Sequence, residues 1–381
     1  MQCPLEIFAK ECPEAVALIE NGNYWSASAL NTLVENESIS KKEGSIEPFL
    51  GHTDLKTIVH LFASLRAGAI ALPLNTRAPK WDIPQASIPN AALMLYTSGS
   101  TGQPKLVCLS KENFYYSALG SIEAVKLRAH DRWLLSLPLF HVGGLLVLFR
   151  CFMAKATVVL DKNISCTHVS FVPTQLYRLL QENKKLEAKC ILLGGAPVSE
   201  TLLLKARDLG MHVFETYSLT EMTSQVTMDG KVLPYRELKI ADDGEILVKG
   251  KTLALGLEDW YHTKDLGRFD AEGKLRVIGR KDNLFISGGE NIQPEEIEQA
   301  LCQIEGIIQA IVVPIKDEEF GMRPVAFIEG PCDLPHIKKE LSHTLPKYKI
   351  PIAVYPLPPT TGLKPSRKAL SAEAQGWGKR L

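Results

Sequence analysis

The feature that most restricts the fold of this chain is an alternation of short apolar runs with amphipathic stretches between about Asp54 and Asp265. The apolar run at 92–96 has the length of a buried strand, and Ser110 can cap a helix that extends to about Val125. Further strand-like runs lie at 133–136, 156–160, 168–172 and 190–193. Strands that alternate with helices predict parallel sheets with helices on both faces, so the predicted fold class is α/β.

The pattern changes after about Gly279. A helix is predicted from Pro294, because proline suits a first helical turn and the acidic residues after it face the positive end of the helix. Strand-like runs at 310–313 and 324–328 and a helix over about 334–345 follow. We therefore predict a large N-terminal domain over 1–279, with sheets flanked by helices, and a small C-terminal α+β domain over 280–381.

Charge and composition exclude several classes of function. Lys and Arg total 43 and Asp and Glu total 43, so the formal net charge is zero and no dense basic run favours nucleic acid. The eight cysteines are scattered without a C-x-x-C pair, which argues against a zinc or redox motif. The apolar stretch at 142–149 is interrupted by Arg150 and is too short to span a bilayer, and the N-terminus lacks the pattern of a signal peptide. We expect a cytoplasmic protein with small-molecule partners, no nucleic acid and no membrane insertion. The oligomeric state, a homo-oligomer included, stays open.

The loop that follows Tyr96 is the first segment with recognisable chemistry. Its small residues let backbone N–H groups approach an anion, its hydroxyls add donors, and its final lysine offers positive charge to a polyphosphate. The spacing differs from that of a Walker A loop. A flexible turn is the alternative, but the preceding strand and the lysine favour phosphate binding. The residues assigned to this nucleotide site are Thr97, Ser98, Gly99, Ser100, Thr101, Gly102 and Lys105.

The run from Tyr96 to Lys105 resembles the signature of the adenylate-forming superfamily, which comprises acyl-CoA synthetases, peptide-synthetase adenylation domains and luciferases. Further motifs of that superfamily occur in the expected order along the chain, which chance rarely produces. The resemblance implies the adenylate-forming enzyme fold, ATP and Mg²⁺ as cofactors, coenzyme A as co-substrate, and an acid–thiol ligase reaction through an acyl-adenylate.

Two motifs are expected beside the acyl group and the adenine. The run at 136–144 resembles the acyl-pocket motif, which implies that His141 lies next to the acyl carboxylate as a catalytic and substrate-binding residue. A hydrogen-bonded core histidine is the alternative. The run at 193–197 resembles the glycine turn along the adenine, and the resemblance also places Gly195 at the substrate. The residues assigned to the nucleotide here are Gly194, Gly195 and Ala196.

The run from Tyr217 to Met222 is similar to the superfamily's Y-G-x-T-E motif. By that resemblance, Tyr217 stacks on the adenine, Thr220 contacts the α-phosphate, and Glu221 is the catalytic metal ligand that holds Mg²⁺. A carboxylate suits this hard cation, which would neutralise charge on the departing pyrophosphate. Ser218 stands where the motif usually has glycine, and it is assigned to substrate binding.

Two further motifs concern the ribose and the boundary between the domains. The run at 263–267 resembles the T-x-D-x-G element, in which Asp265 accepts both ribose hydroxyls, because two carboxylate oxygens suit a vicinal diol. A turn residue is the alternative for an isolated aspartate. The run at 279–283 resembles the superfamily's hinge. Arg280 would contact ribose or phosphate, and Asp282 would absorb the backbone rotation between two domain orientations.

The C-terminal region carries the last two motifs. Gly288 and Gly289 resemble the glycines that let backbone lie close to the pantetheine arm of coenzyme A. Lys364 precedes Arg367 by three positions, as in the superfamily's G-K-x-x-R pattern, although Leu363 replaces the usual glycine. The resemblance implies that Lys364 is catalytic and bridges the attacking carboxylate and the α-phosphate as charge develops.

Several stretches resemble the o-succinylbenzoate–CoA ligases of menaquinone biosynthesis in particular. These stretches are 133–144, 167–180, 279–298 and 313–325. The implied substrate is 2-succinylbenzoate, of which one carboxylate is activated while the other needs a cationic anchor. Arg150 is the candidate, because it interrupts an apolar run after His141 and matches an arginine of this subfamily. A buried arginine without a partner is costly, so a substrate carboxylate would complete the pair. The alternative is that Arg150 reaches solvent or pairs with a distant acid.

The chain also departs from the superfamily in length. Only residues 76–96 join Asn75 to the phosphate loop, so the fold is abbreviated at its start, and the region between Met222 and Asp265 is also trimmed. These losses fall on peripheral segments, which favours a compact active enzyme. Two alternatives stay open. One is a related ligase for another aryl or acyl acid, or an adenylating enzyme that loads a carrier protein. The other is a nucleotide-binding pseudoenzyme.

Overall fold

The computed structural model describes residues 2–39, 43–76, 83–84, 88–98, 104–196, 198–257, 259–358 and 367–377. The α-helices in these ranges are α1 (Pro4–Glu11), α2 (Ala27–Asn36), α3 (Leu55–Arg66), α4 (Lys111–Val125), α5 (Val142–Ala154), α6 (Pro173–Gln181), α7 (Glu200–Asp208), α8 (Pro294–Leu301), α9 (Leu334–Leu341) and α10 (Arg367–Trp377). Short 3-10 helices occur at Thr220–Met222, Lys281–Asn283 and Lys347–Lys349. Across the ranges given, no helix combines the length and apolarity needed to cross a membrane.

Within the described ranges the strands form five sheets. Those before residue 200 are β1 (Val16–Glu20), β2 (Asn23–Ser26), β3 (Ile46–Leu50), β4 (Ile70–Leu74), β5 (Leu93–Ser98), β6 (Pro104–Leu109), β7 (Arg132–Leu134), β8 (Thr157–Val159), β9 (His168–Phe171) and β10 (Cys190–Leu193). Those after it are β11 (Val213–Leu219), β12 (Ser224–Met228), β13 (Lys231–Val232), β14 (Arg236–Ile240), β15 (Glu245–Gly250), β16 (Tyr261–Phe269), β17 (Leu275–Arg280), β18 (Phe285–Ser287), β19 (Glu290–Ile292), β20 (Gln309–Asp317), β21 (Gly321–Glu329) and β22 (Val354–Pro356).

Two helix starts follow capping residues that the sequence offers. Asp54 accepts a hydrogen bond from the backbone N–H of Thr57 at 2.8 Å and begins α3. Ser110 and Asn113 exchange side-chain hydrogen bonds with each other's backbone N–H, which makes a capping box at the start of α4. The predicted helix from Ser110 to Val125 is therefore confirmed at both ends.

The largest sheet has the strand order β13-β12-β11-β10-β9-β7-β8-β1-β2. Its central strands, from β1 through β8, β7, β9 and β10 to β11, are all parallel to their neighbours, as the alternation of strands and helices predicts. The carboxyl ends of adjacent parallel strands lie along one edge, where ligands bind in open α/β sheets. The segments that leave β7, β10 and β11 carry three of the predicted motifs, so this edge is where a site is expected.

A second sheet, β3-β4-β5-β6, shares one apolar core with the first. Helices α1 to α5 contribute to that core, in which the rings of Phe114 on α4 and Phe149 on α5 stack at 4.5 Å between centroids. Two residues of α3, Ile58 and Phe62, are fully buried in the same core. The core holds α4 and α5 against both sheets and so determines where the residues that precede each helix lie.

The prediction of parallel sheets up to Asp265 is wrong for several strand pairs, because β5–β6, β11–β12 and β12–β13 are antiparallel. Strands β14, β15, β16 and β17 form an antiparallel sheet. Only residues 241–244 separate β14 from β15, and Gly244 has a φ of +83°. A link of this length closes a hairpin but cannot contain the crossover that a parallel pair needs.

Helix α5 contains the apolar stretch at 142–149 and the arginine that interrupts it. Arg150 lies inside the helix, which continues to Ala154. The guanidinium is 2% exposed and lies 5.4 Å from the centre of the Trp133 ring. An arginine has good helix propensity, so its charge does not break the helix; the surrounding residues decide whether it is buried.

The chain after residue 284 has cores of its own. Strands β20 and β21 form a long antiparallel hairpin that β22 joins in parallel, and β18 and β19 form a separate ribbon. One face of the hairpin packs with α8 and α9, and the other packs with α10. The α+β character predicted for this region is confirmed, with α9 ending at Leu341 rather than near residue 345.

Candidate active site

Strands β5 and β6 bring the two ends of the predicted phosphate loop together. Thr97 and Lys105 are paired across the antiparallel hairpin, and the Thr97 hydroxyl donates to the Lys105 carbonyl at 3.3 Å. The Lys105 residue is exposed. Gly99, Ser100, Thr101 and Gly102, together with the side chain of Ser98, lie outside the described residues. Their assignment to phosphate stays a prediction, anchored by a hairpin that holds the lysine opposite the start of the loop.

The predicted acyl motif leaves the carboxyl end of β7 and leads into α5. His141 is the residue before α5, has extended backbone angles, and has its ring 4.6 Å from that of Phe140 between centroids. Gly144 is required by close packing, since a Cβ there would lie 2.3 Å from the carbonyl oxygen of Pro138. The Ser136 hydroxyl donates to the carbonyl of Ser170 on β9. The motif is therefore held by hydrogen bonding at the edge where the parallel strands end. His141 is half-buried at the start of a buried helix.

The structure bears on the alternative interpretation of Arg150, in which the side chain reaches solvent or pairs with a distant acid. The side chain does not reach solvent, and no acidic partner is found for it in the described ranges. One terminal nitrogen donates to the Ser224 hydroxyl at 3.3 Å, while Nε has no hydrogen-bond partner. Burial lowers the pKa of Arg150 to about 10, so the group is still charged at neutral pH. The alternative that Arg150 reaches solvent or pairs with a distant acid is excluded within these residues.

The glycine turn directly follows β10. A Cβ on Gly194 would lie 2.8 Å from the Thr216 methyl group and 3.9 Å from the Ser218 hydroxyl, both on β11. Gly195 has a φ of +83°, which only glycine adopts readily. The turn and Ser218 thus meet at the same edge of the sheet. Ala196 follows them, and Pro197 lies outside the described residues.

Tyr217 is on β11 beside this turn, and its hydroxyl contacts the predicted ribose ligand. It donates a hydrogen bond of 2.6 Å to Oδ2 of Asp265. Burial, then the charge and hydrogen bond of Asp265, raises the pKa of Tyr217 well above its usual value. The phenol therefore stays neutral and orients the carboxylate. The sequence motifs assign both residues to the nucleotide but do not predict this contact.

Strand β11 ends in the 3-10 helix that carries Thr220 and Glu221. Both residues are half-buried, and Thr223 closes the turn by donating its N–H to the Thr220 carbonyl at 3.0 Å. Burial, and then the Glu221 carboxylate that accepts a hydrogen bond from Tyr261, raises the pKa of Tyr261 to about 12. Tyr261 is a neighbour of the predicted metal ligand that no sequence motif indicated.

The fit of a magnesium ion at Glu221 depends on the nucleotide. Among the described residues there is no group of three or more His, Cys, Asp or Glu side chains that could hold a metal ion by itself. Magnesium commonly takes one or two carboxylates and completes its shell with water and substrate phosphates. A single carboxylate at the start of a short helix is compatible with that mode, in which the cation would arrive with ATP.

Asp265, Arg280 and Asp282 form one ionic network. Nη1 of Arg280 donates to Oδ1 of Asp265 at 2.9 Å, and its Nε donates to Oδ1 of Asp282 at 3.1 Å. Burial opposes the charge of Arg280, but the hydrogen bond to Asp282 and both carboxylate charges outweigh it and raise its pKa. The predicted ribose ligand and the predicted hinge residue are therefore joined through one guanidinium.

The predicted coenzyme A segment is the turn between β18 and β19. Gly288 and Gly289 have φ values of +57° and +88°, and a Cβ on Gly288 would lie 2.9 Å from the ring of Phe320. The Gly288 N–H donates to the Phe320 carbonyl at 2.9 Å. These glycines are required by this turn itself. Lys364 lies outside the described residues, so its catalytic role stays a prediction.

Arg367, three positions after Lys364, makes contacts that the motif did not predict. Its guanidinium donates to the carboxylates of Glu298 and Glu295 on α8 and to the carbonyl of Val312. The Glu298 residue is buried. The G-K-x-x-R pattern contained Arg367, but its acidic partners are about seventy positions away in sequence and no local signal points to them.

Comparisons with known proteins identify the family of the chain. Residues 82–257 match the AMP-binding enzyme family. The 2-succinylbenzoate–CoA ligase of Escherichia coli is 38% identical over 312 residues, which cover 74% of this chain and 69% of that protein. The ligase of the same name from Listeria monocytogenes is 31% identical, over 89% of this chain and 83% of its own length. That alignment runs over 393 positions, more than the chain's 381 residues, so the relative carries residues that this chain lacks.

Solved structures extend the agreement to the whole chain. A variant of E. coli MenE with bound OSB-AMS has a TM-score of 0.86 and 30% identity, with 98% of each chain covered. Bacillus subtilis MenE in complex with ATP and magnesium ion has a TM-score of 0.85 and 28% identity, with 96% of this chain and 98% of that chain covered. The predicted adenylate-forming fold, abbreviated in this chain, is confirmed. The chain belongs to the family of 2-succinylbenzoate–CoA ligases, among the AMP-binding enzymes.

Proposed function

We propose that this protein is an ATP-dependent ligase that converts 2-succinylbenzoate to its coenzyme A thioester through an acyl-adenylate, in menaquinone biosynthesis. The observation that supports 2-succinylbenzoate as the substrate is Arg150, a buried and charged guanidinium with no acidic partner among the described residues. It lies on the helix that His141 begins. A second carboxylate on the acyl substrate would provide the missing counter-charge, because a buried cation without a counter-charge is costly.

The first half-reaction joins the acid to the nucleotide. One carboxylate oxygen of the substrate attacks the α-phosphorus of ATP, the bond to the bridging oxygen of pyrophosphate breaks, and pyrophosphate leaves with that electron pair. Lys105 and the loop at 97–102 would hold the phosphates, and Lys364 would stabilise charge at the attacking oxygen and the α-phosphate. Glu221 would hold Mg²⁺, which when bound offsets negative charge on the phosphates.

The nucleotide would be positioned by the cluster at the sheet edge. Asp265 would accept the ribose hydroxyls, Tyr217 would lie on the adenine, and Gly194 and Gly195 would let the base approach the backbone. In the structure both Asp265 oxygens already accept hydrogen bonds, from Tyr217 and Arg280. A ribose would therefore bind to a carboxylate whose orientation is set in advance, which reduces the entropy lost on binding.

The second half-reaction transfers the acyl group to coenzyme A. The thiol loses its proton and its sulfur attacks the acyl carbon of the mixed anhydride; AMP leaves with the electron pair of the broken carbon–oxygen bond. We infer that residues 280–381 rotate as a domain against residues 1–279 about Asp282 between the two steps. The turn at Gly288 and Gly289 would then face the pantetheine arm.

The protein would act in the cytoplasm, where its small-molecule substrates are found. All eight cysteines are free thiols, and burial raises the pKa of Cys151, Cys190 and Cys302, which keeps these groups protonated. Unpaired, unreactive thiols are typical of a reducing compartment.

The assay for this function is ATP–pyrophosphate exchange, run separately with 2-succinylbenzoate, benzoate, a medium-chain fatty acid and an amino acid. We expect exchange with 2-succinylbenzoate and a thioester mass when coenzyme A is added. Exchange only with another acid would overturn the substrate, and ATP binding without exchange with any acid would favour a pseudoenzyme.

Lys364→Ala tests the division of the two half-reactions, with Lys368→Ala as the control. Lys368 is an exposed lysine on α10. We expect Lys364→Ala to lose adenylation but to form thioester from supplied acyl-adenylate, while Lys368→Ala resembles wild type. Equal loss of both half-reactions in Lys364→Ala would contradict the assignment.

A further inference from the structure

A second arginine is buried near Arg150. Arg236 is 6% exposed at the start of β14, and it has no acidic partner in the part of the chain that the structure describes. Its Nη1 donates to the Pro234 carbonyl at 2.7 Å and its Nη2 donates to the Ser117 hydroxyl at 3.0 Å, while Nε has no partner. Neutral oxygens satisfy part of its hydrogen-bonding capacity, but none of them offsets its charge.

A short series of hydrogen bonds connects Arg236 with Arg150. The Ser117 hydroxyl that accepts from Arg236 donates to the carbonyl of Thr223. Thr223 and the next residue, Ser224, have φ values of +50° and +94°, which side-chain-bearing residues rarely adopt. The Ser224 hydroxyl in turn accepts from Arg150. Ser117 therefore holds a strained turn from one side, and that turn presents the hydroxyl that orients Arg150.

The two guanidiniums also act on each other through their charges. Burial lowers the pKa of Arg236 to about 9, and the positive charge of Arg150 adds to that effect. Burial lowers the pKa of Arg150 to about 10. At neutral pH both groups are therefore cations in one buried region, and their repulsion is uncompensated by any described carboxylate. A bound anion would relieve it, and a neutral group in the same place would not.

We propose that Arg236 determines the specificity of the acyl pocket for substrates with a second carboxylate: it holds Arg150 through Ser117 and the Thr223–Ser224 turn, and it adds a second buried positive charge. This inference rests on the proposed function, because it concerns how the same pocket recognises 2-succinylbenzoate. Arg236 is proposed as a positioning residue, since it would act through Arg150.

The test compares three variants with three acids. Arg236→Met removes the charge at similar length, Arg236→Lys keeps the charge, and Ser117→Ala breaks the hydrogen-bond series but leaves both arginines. The acids are 2-succinylbenzoate, 4-oxo-4-phenylbutanoate, which lacks the ring carboxylate, and 2-butanoylbenzoate, which lacks the chain carboxylate. ATP–pyrophosphate exchange gives kcat and KM for each acid that is activated.

We expect wild type to prefer the diacid over whichever monoacid it activates, and Arg236→Met to reduce that preference roughly tenfold. The loss should appear as a higher KM for the diacid, with kcat little changed. Arg236→Lys should keep the preference within about threefold, because it keeps the buried positive charge. Ser117→Ala should raise KM for the diacid alone.

Other results would overturn the inference. If Arg236→Met or Ser117→Ala lowers activity with both kinds of acid by the same factor, Arg236 is only structural and the inference fails. If Arg236→Met does not fold, the Ser117→Ala variant still decides, since an unchanged preference there overturns the series of contacts. Wild type that gives no exchange with 2-succinylbenzoate would overturn the proposed function as well, whereas an active wild type with unaltered preference in the variants overturns this inference alone.

Discussion

Replacement of Arg367 by methionine should destabilise the C-terminal region far more than its partial exposure suggests. The Arg367 side chain is 26% exposed, but Glu298 and Glu295, which it pairs with, are 10% and 7% exposed. Methionine keeps much of the length and removes the charge. Two buried carboxylates would then share one region without their cation, which is the costly way to break a buried ion pair.

The expected loss is about 3 kcal/mol. Removal of one partner of a buried pair costs roughly 3 to 5 kcal/mol, and the lower end applies because a quarter of Arg367 is in contact with water. The backbone N–H of Val312 donates to Glu298 at 2.7 Å, and the Val312 carbonyl accepts from Arg367. The cost should therefore be felt in β20, which the carboxylate and the guanidinium hold together.

Hydrogen exchange measures this effect locally. Peptides that cover β20 should exchange roughly a hundredfold faster in Arg367→Met, because 1.4 kcal/mol corresponds to a factor of ten. Lys368→Met removes an exposed positive charge from the neighbouring position and should alter exchange by less than about threefold. A second variant, Arg367→Met with Glu298→Gln, should recover part of the loss, since it removes the uncompensated charge.

The effect should also depend on pH. Burial raises the pKa of Glu298 in the native protein, and Arg367 opposes that rise. Without Arg367 the pKa of Glu298 in the folded state moves further above its value in the unfolded state. At a pH between these two pKa values, Glu298 is protonated in the folded state and ionised in the unfolded state. Stability of the variant should thus fall as pH rises through this interval, and its deficit should be smaller at pH 5 than at pH 8.

Two results would refute the reasoning. Equal exchange in Arg367→Met and Lys368→Met would show that the ion pair contributes little. A deficit that is the same at pH 5 and pH 8 would show that lost packing, and not the uncompensated carboxylates, causes the instability. Because Arg367 follows Lys364 by three residues, we also expect Arg367→Met to slow adenylation more than thioester formation from acyl-adenylate.

Three further predictions concern the site itself. Tyr217→Phe removes the hydroxyl that donates to Asp265 and should lower the free energy of unfolding by about 1.5 to 3 kcal/mol without ATP; an equal deficit at saturating ATP would show that the ribose does not take over this carboxylate. Gly144→Ala should abolish measurable adenylation, because its Cβ would meet the Pro138 carbonyl. In the control Gly143→Ala the Cβ meets only a leucine methyl group at 3.2 Å, so this variant should retain activity. Similar losses in both variants would mean that chain flexibility matters more than space. Chelation of magnesium with EDTA should stop pyrophosphate exchange, and added Mg²⁺ should restore it; exchange that persists in EDTA would contradict a role for Glu221 as metal ligand.

Local features of the sequence predicted much of the fold. Ser110 begins α4 as predicted, and Asp54 begins α3 by the same kind of local cap, because a capping hydrogen bond involves residues only three positions apart. The central parallel strands were also predictable from the length and spacing of apolar runs. The hairpins of β14 to β17 were not, since alternating apolar residues do not state whether neighbouring strands run in the same direction.

The candidate site divides in the same way. The order of the motifs, and with it the residue types around ATP, is a property of the sequence, and the position of His141 before α5 follows from it. The contact of Tyr217 with Asp265 spans 48 positions and was not predicted. Resemblance to a motif assigns a residue to a ligand, but it does not indicate which other protein groups contact that residue.

What the sequence alone determined is therefore the family, the order of the site segments and the local starts of helices. Only the tertiary structure decided which charges are buried and with what partners. Arg150 is buried and has neither solvent nor a described acid as a partner. Arg236 donates a hydrogen bond to Ser117, which lies 119 positions away in sequence. Arg367 pairs with Glu298, which lies 69 positions away. The physical reason is that the energy of a charge depends on the dielectric and the groups around it, and packing between distant segments creates that environment.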